Sequence, residues 1–129
     1  GFNLKQGAIV SSIAHDSHNV VCLGTDDSYI RDAINWVIDQ KGGIAFHNGK
    51  EIFGLPLKIA GIMSDTTAVD AADTYAKLTR MVQEKGCRFK APFMTLSFMS
   101  LLVIPELKLS DKGLFHGTRF ELIPVCAEN

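Results

Sequence analysis

Two long segments of this chain carry hydrophobic residues at helical spacing. In residues 27–41 they recur at i, i+3, i+4, i+7 and i+8, which places them on one face of a helix. Thr25 or Asp26 is suited to cap this helix, and Gly42 and Gly43 provide the positive φ at which many helices end. The same spacing predicts a second helix over residues 67–85. Its predicted apolar face comprises Ala68, Ala71, Ala72, Tyr75, Leu78 and Val82, and its predicted cap is Ser64, Asp65 or Thr66.

The remaining apolar segments are short and rich in β-branched residues, which is typical of strands. Residues 8–14 and 20–23 predict one pair of strands. Residues 44–47 and 51–55 predict a hairpin, because Asn48-Gly49 tolerates the positive φ of a tight turn. Two further strands are predicted within 94–104 and 115–125. The resulting ββαββαββ order favours an α+β domain in which two main helices pack on an antiparallel or mixed sheet.

Length and charge narrow the possible functions. A chain of 129 residues suits one domain, so residues 1–129 are interpreted as a single unit. A complete (β/α)₈ barrel is excluded because it needs about 250 residues. The 13 Lys and Arg against 14 Asp and Glu give a net charge of −1, so nucleic acid is not expected as a partner. No apolar run approaches the roughly 18 to 20 residues of a membrane span, so no membrane partner is expected.

The cysteines and the start of the chain indicate where the protein is found. Cys22, Cys87 and Cys126 are odd in number and widely spaced, which indicates reduced thiols and a cytoplasmic location. The chain starts at Gly1, and residues 1–6 lack the basic-then-apolar pattern of a signal peptide. The sequence is therefore interpreted as the interior of a longer chain.

The most unusual polar segment is HDSHN at residues 15–19, directly after a predicted strand. Imidazole and carboxylate groups move protons or ligate metals near neutral pH, so His15, Asp16 and His18 are candidate catalytic residues, with Ser17 and Asn19 as candidate binding residues. The alternative is an Asx-rich turn whose side chains satisfy backbone donors. Since no third ligand accompanies the two histidines, no metal site is predicted in this chain.

Ser64 and Asp65 form a second candidate, at the start of the second predicted helix. Amide donors and the helix dipole can hold a polar ligand there, and helix capping is the alternative. The sequence lacks the phosphate-binding, dinucleotide-binding, zincin and hydrolase-elbow motifs. It also lacks the cysteine pair of the small zinc-dependent nucleobase deaminases.

Four segments together resemble one protein family. They are residues 7–19 (GAIVSSIAHDSHN), 61–65 (GIMSD), 92–98 (PFMTLSF) and 103–114 (VIPELKLSDKGL). In this order they are similar to the C-terminal domain of the adenine deaminase family. The resemblance covers essentially the whole chain.

This resemblance implies a larger enzyme, in which an amidohydrolase barrel with a dinuclear Mn or Fe centre converts adenine and water to hypoxanthine and ammonia. No part of that barrel is present in this sequence, so none of its metal ligands can be assigned here. The resemblance implies a domain that is inactive by itself, a barrel partner in the same or another chain, and a homo-oligomer. It also implies that seven residues face the barrel mouth or a subunit interface, namely His15, Asp16, Ser17, His18, Asn19, Ser64 and Asp65. His15 and Asp16 could orient one another or protonate the departing ammonia.

Three functions are compatible with these observations. The first is the C-terminal domain of an adenine deaminase, which shapes or covers the barrel active site. The second is a free-standing nucleobase-binding or regulatory module derived from that family. The third is a small metal hydrolase centred on the two histidines, which requires a stoichiometric metal and activity without a partner.

Overall fold

The chain forms two antiparallel sheets and three helices. Its computed structural model describes residues 1–16 and 18–126. The elements follow in the order β1 (Ala8–Ser11), β2 (Val21–Gly24), α1 (Asp27–Asp39), β3 (Gly43–His47), β4 (Ile52–Pro56), α2 (Ala68–Glu84), α3 (Pro92–Met99), β5 (Leu107–Ser110), β6 (Gly113–His116) and β7 (Glu121–Ile123). The predicted α+β class and both predicted hairpins of the first half are confirmed.

The larger sheet has the strand order β2-β1-β3-β4, and every neighbouring pair is antiparallel. The central pair is β1 and β3, where Val10 lies opposite Ala45. Both of these strands are buried along their whole length. Strand β1 ends at Ser11, three residues earlier than the predicted 8–14, so residues 12–20 connect it to β2.

The two faces of this sheet carry side chains of different size. Successive strand residues point to opposite faces, so β1 and β3 divide their side chains between two cores. The face that packs on α1 carries small residues, and its core comprises Ala8, Val10, Ala33, Val37 and Ala45. The opposite face packs on α2 and α3, and its core includes Ile9, Ile44, Phe46, Leu55, Leu78, Val82, Phe93 and Leu96.

Trp36 of α1 lies over two glycines of the sheet. A Cβ added to Gly54 would overlap its indole ring, and one added to Gly43 would also meet it. The indole ring therefore packs directly on the sheet. Glycine is needed at position 54 because the ring occupies the space of a side chain.

The helix ends partly follow the sequence. Asp26 caps α1 by accepting a hydrogen bond from the Ser28 N–H at 2.8 Å, as expected. After α1 the left-handed conformation is taken by Lys41 (φ 61°) as well as Gly42 (φ 126°). The cap predicted for α2 is wrong, because Thr67 takes this position and its hydroxyl accepts from the Asp70 N–H at 3.2 Å.

The predicted face of α2 is only partly buried. Leu78 and Val82 are in the core, whereas Ala68 and Ala72 are exposed. The first turns of this helix extend past the edge of the sheet core. Periodicity identified the correct face, and the position along the helix decides which of its residues are covered.

The strand predicted over residues 94–104 is wrong, because this segment contains α3. Pro92 is at the start of α3, where its fixed φ suits a helix and its missing N–H costs no hydrogen bond. Phe93, Leu96 and Ser97 are buried at helical spacing, while Met94 is exposed. The apolar residues of this segment fit both the two-residue repeat of a strand and the 3.6-residue repeat of a helix. Their partial alternation therefore suggested a strand.

The last three strands form a separate meander, with the order β5-β6-β7. The single strand predicted over 115–125 is therefore two strands joined through residues 117–120. The observed order is ββαββααβββ. These strands do not pair with any strand of the larger sheet.

All three cysteines are free thiols. Burial raises the pKa of Cys22 to about 11, so this thiol is protonated at neutral pH. In the described part of the chain, no helix is long and apolar enough to cross a membrane.

The contact between Trp36 and Gly54 gives a test of this fold. We expect Gly54→Ala to lower the free energy of unfolding by about 1–3 kcal/mol, because the new methyl group must displace a packed ring. In a Trp36→Leu background the same change should cost clearly less, which a double-mutant cycle of urea unfolding measures. Additive costs of the two substitutions would contradict this packing.

Candidate functional site

The connection from β1 to β2 is held at the edge of the sheet by α3. The Ser11 hydroxyl accepts a hydrogen bond from the Ile13 N–H at 2.9 Å, which turns the chain as β1 ends. The His15 N–H donates to the Ser97 carbonyl oxygen at 3.2 Å. Asp16 has φ 64°, a left-handed conformation that Asp adopts more readily than most residues. These contacts determine where the side chains of His15 and Asp16 lie.

The His15 imidazole has two side-chain contacts within this site. Its Nδ1 atom is 3.0 Å from Oδ1 of Asp16, and its ring stacks on Phe98 with centroids 4.5 Å apart at 28°. Both polar side chains nevertheless remain accessible, with exposed fractions of 42% for His15 and 69% for Asp16. In the neutral imidazole, a carboxylate on Nδ1 favours the proton there and leaves the Nε2 lone pair for another group. In that tautomer Nε2 is the ring atom that can accept a proton or a hydrogen bond.

Ser12 ties the same connection to the segment after β4. Its hydroxyl accepts from the Gly43 N–H at 2.8 Å and donates to the Gly61 carbonyl oxygen. Gly42 packs so closely on Gly61 that a Cβ on Gly42 would overlap the Gly61 Cα atom. Three of the four segments that carry the family resemblance therefore meet around residues 12–15.

A cavity of about 290 Å³ lies beside Ser12, between the β1–β2 connection, the end of α1 and residues 60–61. His18 and Asn19 line one side of it, and Lys41 lines another. Its remaining wall includes the apolar residues Val20 and Ile38. The structure thus places His18 and Asn19 on a concave surface.

A second cavity, of about 230 Å³, lies between β1, α2 and α3. Its wall is mainly apolar and includes Ser11, Tyr75, Phe93 and Ser97. Burial raises the pKa of the Tyr75 phenol above its usual value, so this group is a neutral hydrogen-bonding group at neutral pH. Ser97 connects this cavity to His15, because its carbonyl oxygen accepts from the His15 backbone.

Ser64 and Asp65 have local partners of their own. The Asp65 carboxylate pairs with the Lys58 ammonium at 3.0 Å, and this hydrogen bond holds the pKa of Asp65 below its usual range. The Ser64 hydroxyl accepts from the Thr66 N–H at 3.2 Å. These interactions close the loop that brings residues 60–61 to the cavity beside Ser12. Ser17, the remaining residue predicted for the site, lies outside the described residues.

Within residues 1–16 and 18–126, no three His, Cys, Asp or Glu side chains are placed to hold a metal ion. A dinuclear centre therefore does not fit the residues described in this chain. His15, Asp16 and His18 carry groups that can form hydrogen bonds and transfer protons.

Sequence reasoning missed three contributors to this site. Phe98 belongs to a recognised segment, but the strand predicted there gave no reason to place its ring on His15. Ser12 is in a recognised segment but within the predicted strand 8–14, so its hydrogen bonds to Gly43 and Gly61 were not expected. Lys41 was not expected at the site, because the cavity that it lines is formed by segments far apart in the chain. A polar residue directly after a buried strand, as at Ser12, is the one local feature that could have directed attention to it.

Comparison with known proteins identifies relatives along nearly the whole chain. Residues 1–121 match the family described as "Adenine deaminase C-terminal domain". The chain is 55% identical to the adenine deaminase of Sulfurovum sp. (strain NBC37-1), covering 98% of this chain and 24% of that protein. It is 50% identical to the adenine deaminase of Methanosarcina acetivorans, covering 97% of this chain and 23% of that protein. For the adenine deaminase of Archaeoglobus fulgidus the identity is 47%, with 99% and 23% covered. The chain thus spans about a quarter of the length of these curated relatives.

Removal of the Ser12 hydroxyl tests how the site is assembled. We expect Ser12→Ala to lower the free energy of unfolding by about 1–3 kcal/mol, because it leaves the Gly43 N–H and the Gly61 carbonyl oxygen without this partner. Ser100→Ala is the matched control, since that hydroxyl donates to a single carbonyl oxygen at the end of α3. Equal costs for the two variants in urea unfolding would contradict a special role for Ser12.

Proposed function

Because this chain belongs to the adenine deaminase C-terminal domain family, we propose that it lies over the mouth of the catalytic barrel in a full-length adenine deaminase. In this proposal the barrel holds the dinuclear Mn or Fe centre and converts adenine and water to hypoxanthine and ammonia. The domain shapes the entrance and has no deaminase activity by itself. His15, Asp16 and His18 are its candidate catalytic residues.

One observation carries the proposal, which is the way His15 is held. Its ring is fixed by Asp16 and Phe98, and its backbone is fixed by Ser97, yet the side chain is 42% exposed. A solvent-facing turn has no need of an oriented imidazole, because exposed ion pairs contribute little to stability. An imidazole that is held by neighbouring groups and is still 42% exposed supports a role at a contact with substrate or with another domain.

The chemistry proposed for His15 follows from its hydrogen bonds. With Asp16 on Nδ1, the Nε2 atom of a neutral imidazole accepts a proton or a hydrogen bond, and the imidazolium donates one. At the barrel mouth this atom could hold a proton for the departing ammonia or fix the exocyclic amino group of adenine. Asp16 is then a positioning residue, because it acts through His15.

The other site residues have supporting parts in this proposal. His18 and Asn19 line the cavity beside Ser12, so they shape the surface next to His15. Ser64 and Asp65 act on the loop conformation, which their partners Thr66 and Lys58 support. For Ser17 the proposal rests on its place in the recognised segment.

The surroundings of the full-length enzyme are proposed on the same basis. We propose a homo-oligomer in the cytoplasm, and the three free thiols support a reducing compartment. The immediate substrate of the enzyme would be adenine, which places the reaction in purine catabolism.

A second candidate function is a free-standing module that binds a nucleobase or regulates a separate barrel. The cavity of about 290 Å³ beside His18 favours it, because this cavity is within the chain. Calorimetric titration of the 129-residue chain with adenine distinguishes the two. Saturable binding with full occupancy supports the module, and absence of binding supports a domain that needs the barrel.

Substitutions in the full-length enzyme test the main proposal. We expect His15→Ala to lower kcat by about 100-fold, since proton transfer by a positioned side chain contributes about 100-fold or more. We expect Asp16→Asn to lower kcat by about 10-fold, because Asp16 acts only through His15. The melting temperature should change little, because substitutions of exposed residues usually cost less than about 0.5 kcal/mol.

Asp32→Asn is the matched control for this experiment. Asp32 also pairs with its sequence neighbour, Arg31, at 2.8 Å on an exposed surface, but it is in α1. Its kcat should equal that of the wild type. A His15→Ala enzyme with the same kcat as the control would show that the imidazole has no part in turnover.

A further inference from the structure

The meander formed by β5, β6 and β7 has no core in this chain. From residue 98 to residue 126, no side chain that the structure describes is buried. The same segment is rich in large apolar residues. A three-stranded sheet usually needs a covered hydrophobic face to be stable in water.

Apolar side chains lie on both faces of the meander. Leu107 is opposite His116, and Leu109 is opposite Leu114, which in turn is opposite Ile123. Directly opposed residues share a face, so one face carries an aliphatic cluster. We call it the aliphatic face after Leu107, Leu109, Leu114 and Ile123, and it also carries His116 and Glu121 in the row of Leu107.

The opposite face carries Phe115 and Leu122, together with Lys108. Phe115 lies opposite Leu122, and the Phe115 and Phe120 rings meet edge to face with centroids 5.4 Å apart. Exposure is high on both sides of the sheet, at 74% for Leu109 and 71% for Phe120. Exposed apolar groups arranged in this way mark an interaction surface.

We infer that the meander is an arm that inserts into the larger part of the full-length polypeptide, which covers both of its faces. The chain spans only 24% of the Sulfurovum relative and 23% of the Methanosarcina acetivorans relative, so most of each enzyme lies outside this domain. A second copy of the domain is a poorer occupant. A two-fold contact between two meanders buries one face or one edge of each and leaves the other face in water.

The position of the meander connects it with the candidate site. A cavity of about 290 Å³ separates Asn19 from β5, and its wall includes Leu102, Leu109 and Ser110. A body that covers Leu109 therefore lies next to Asn19. The inference rests on the proposed function only in taking the full-length enzyme as the partner. It adds the surface through which this domain contacts the rest of that enzyme.

Hydrogen exchange in the full-length enzyme tests this arm. Amides of residues 107–123 should exchange at least about 10-fold more slowly there than in the 129-residue chain, because burial blocks local opening. Leu109→Glu and Phe120→Glu should each remove that protection, since they place a charge on opposite faces. The melting temperature of the 129-residue chain reports whether each variant still folds, and it should not change.

Val69→Glu is the matched control, because Val69 is 70% exposed but lies at the start of α2. It should leave the exchange of residues 107–123 unchanged. Equal exchange of the wild-type meander in the two proteins overturns the inference. So does a 129-residue chain that dimerises, protects the meander and becomes monomeric with Leu109→Glu. A His15→Ala enzyme of normal kcat would refute the proposed function and leave the exchange result intact.

Discussion

The close approach of α1 to the sheet is the constraint on which the rest of the structure depends. Ala8 and Ala45 leave room for the helix, and Gly54 leaves room for the Trp36 ring. Because one face is made of small residues, the bulk needed for a core is placed on the other face, where α2 and α3 cover it. Because small and large side chains alternate along β1 and β3, α1 packs on one face of the sheet, and α2 and α3 pack on the other.

The candidate site follows from this layering. Strand β1 is central in the sheet, so its last residue emerges between helices of both layers. Ser12 then bonds to the strand and loop on one side, and His15 bonds to the end of α3 on the other. The orientation of the imidazole is consequently a property of the assembled core and does not depend on the turn alone.

Sequence reasoning succeeded where the determining interactions are local. The Asn48-Gly49 turn, the Asp26 cap and the face of α1 each depend on residues within a few positions of one another. It failed for α3, because Pro92 and the apolar residues after it satisfy a strand pattern and a helix pattern equally, and only the surrounding core selects the helix. For the same reason residues 15–19 could be identified as unusual, whereas the stacking of His15 on Phe98 required the fold.

In the part of the chain that the structure describes, no side chain after residue 97 is buried. Substitutions before and after this residue should therefore be selected against for different reasons. Substitutions of the buried residues before that point act on whether the domain folds, so their effects would be felt in any setting. Substitutions in the meander leave the domain folded and act on its fit to the rest of the enzyme. Mutational tolerance measured on the 129-residue chain should therefore overstate the freedom of its last strands, and the difference between the two settings would map the interface.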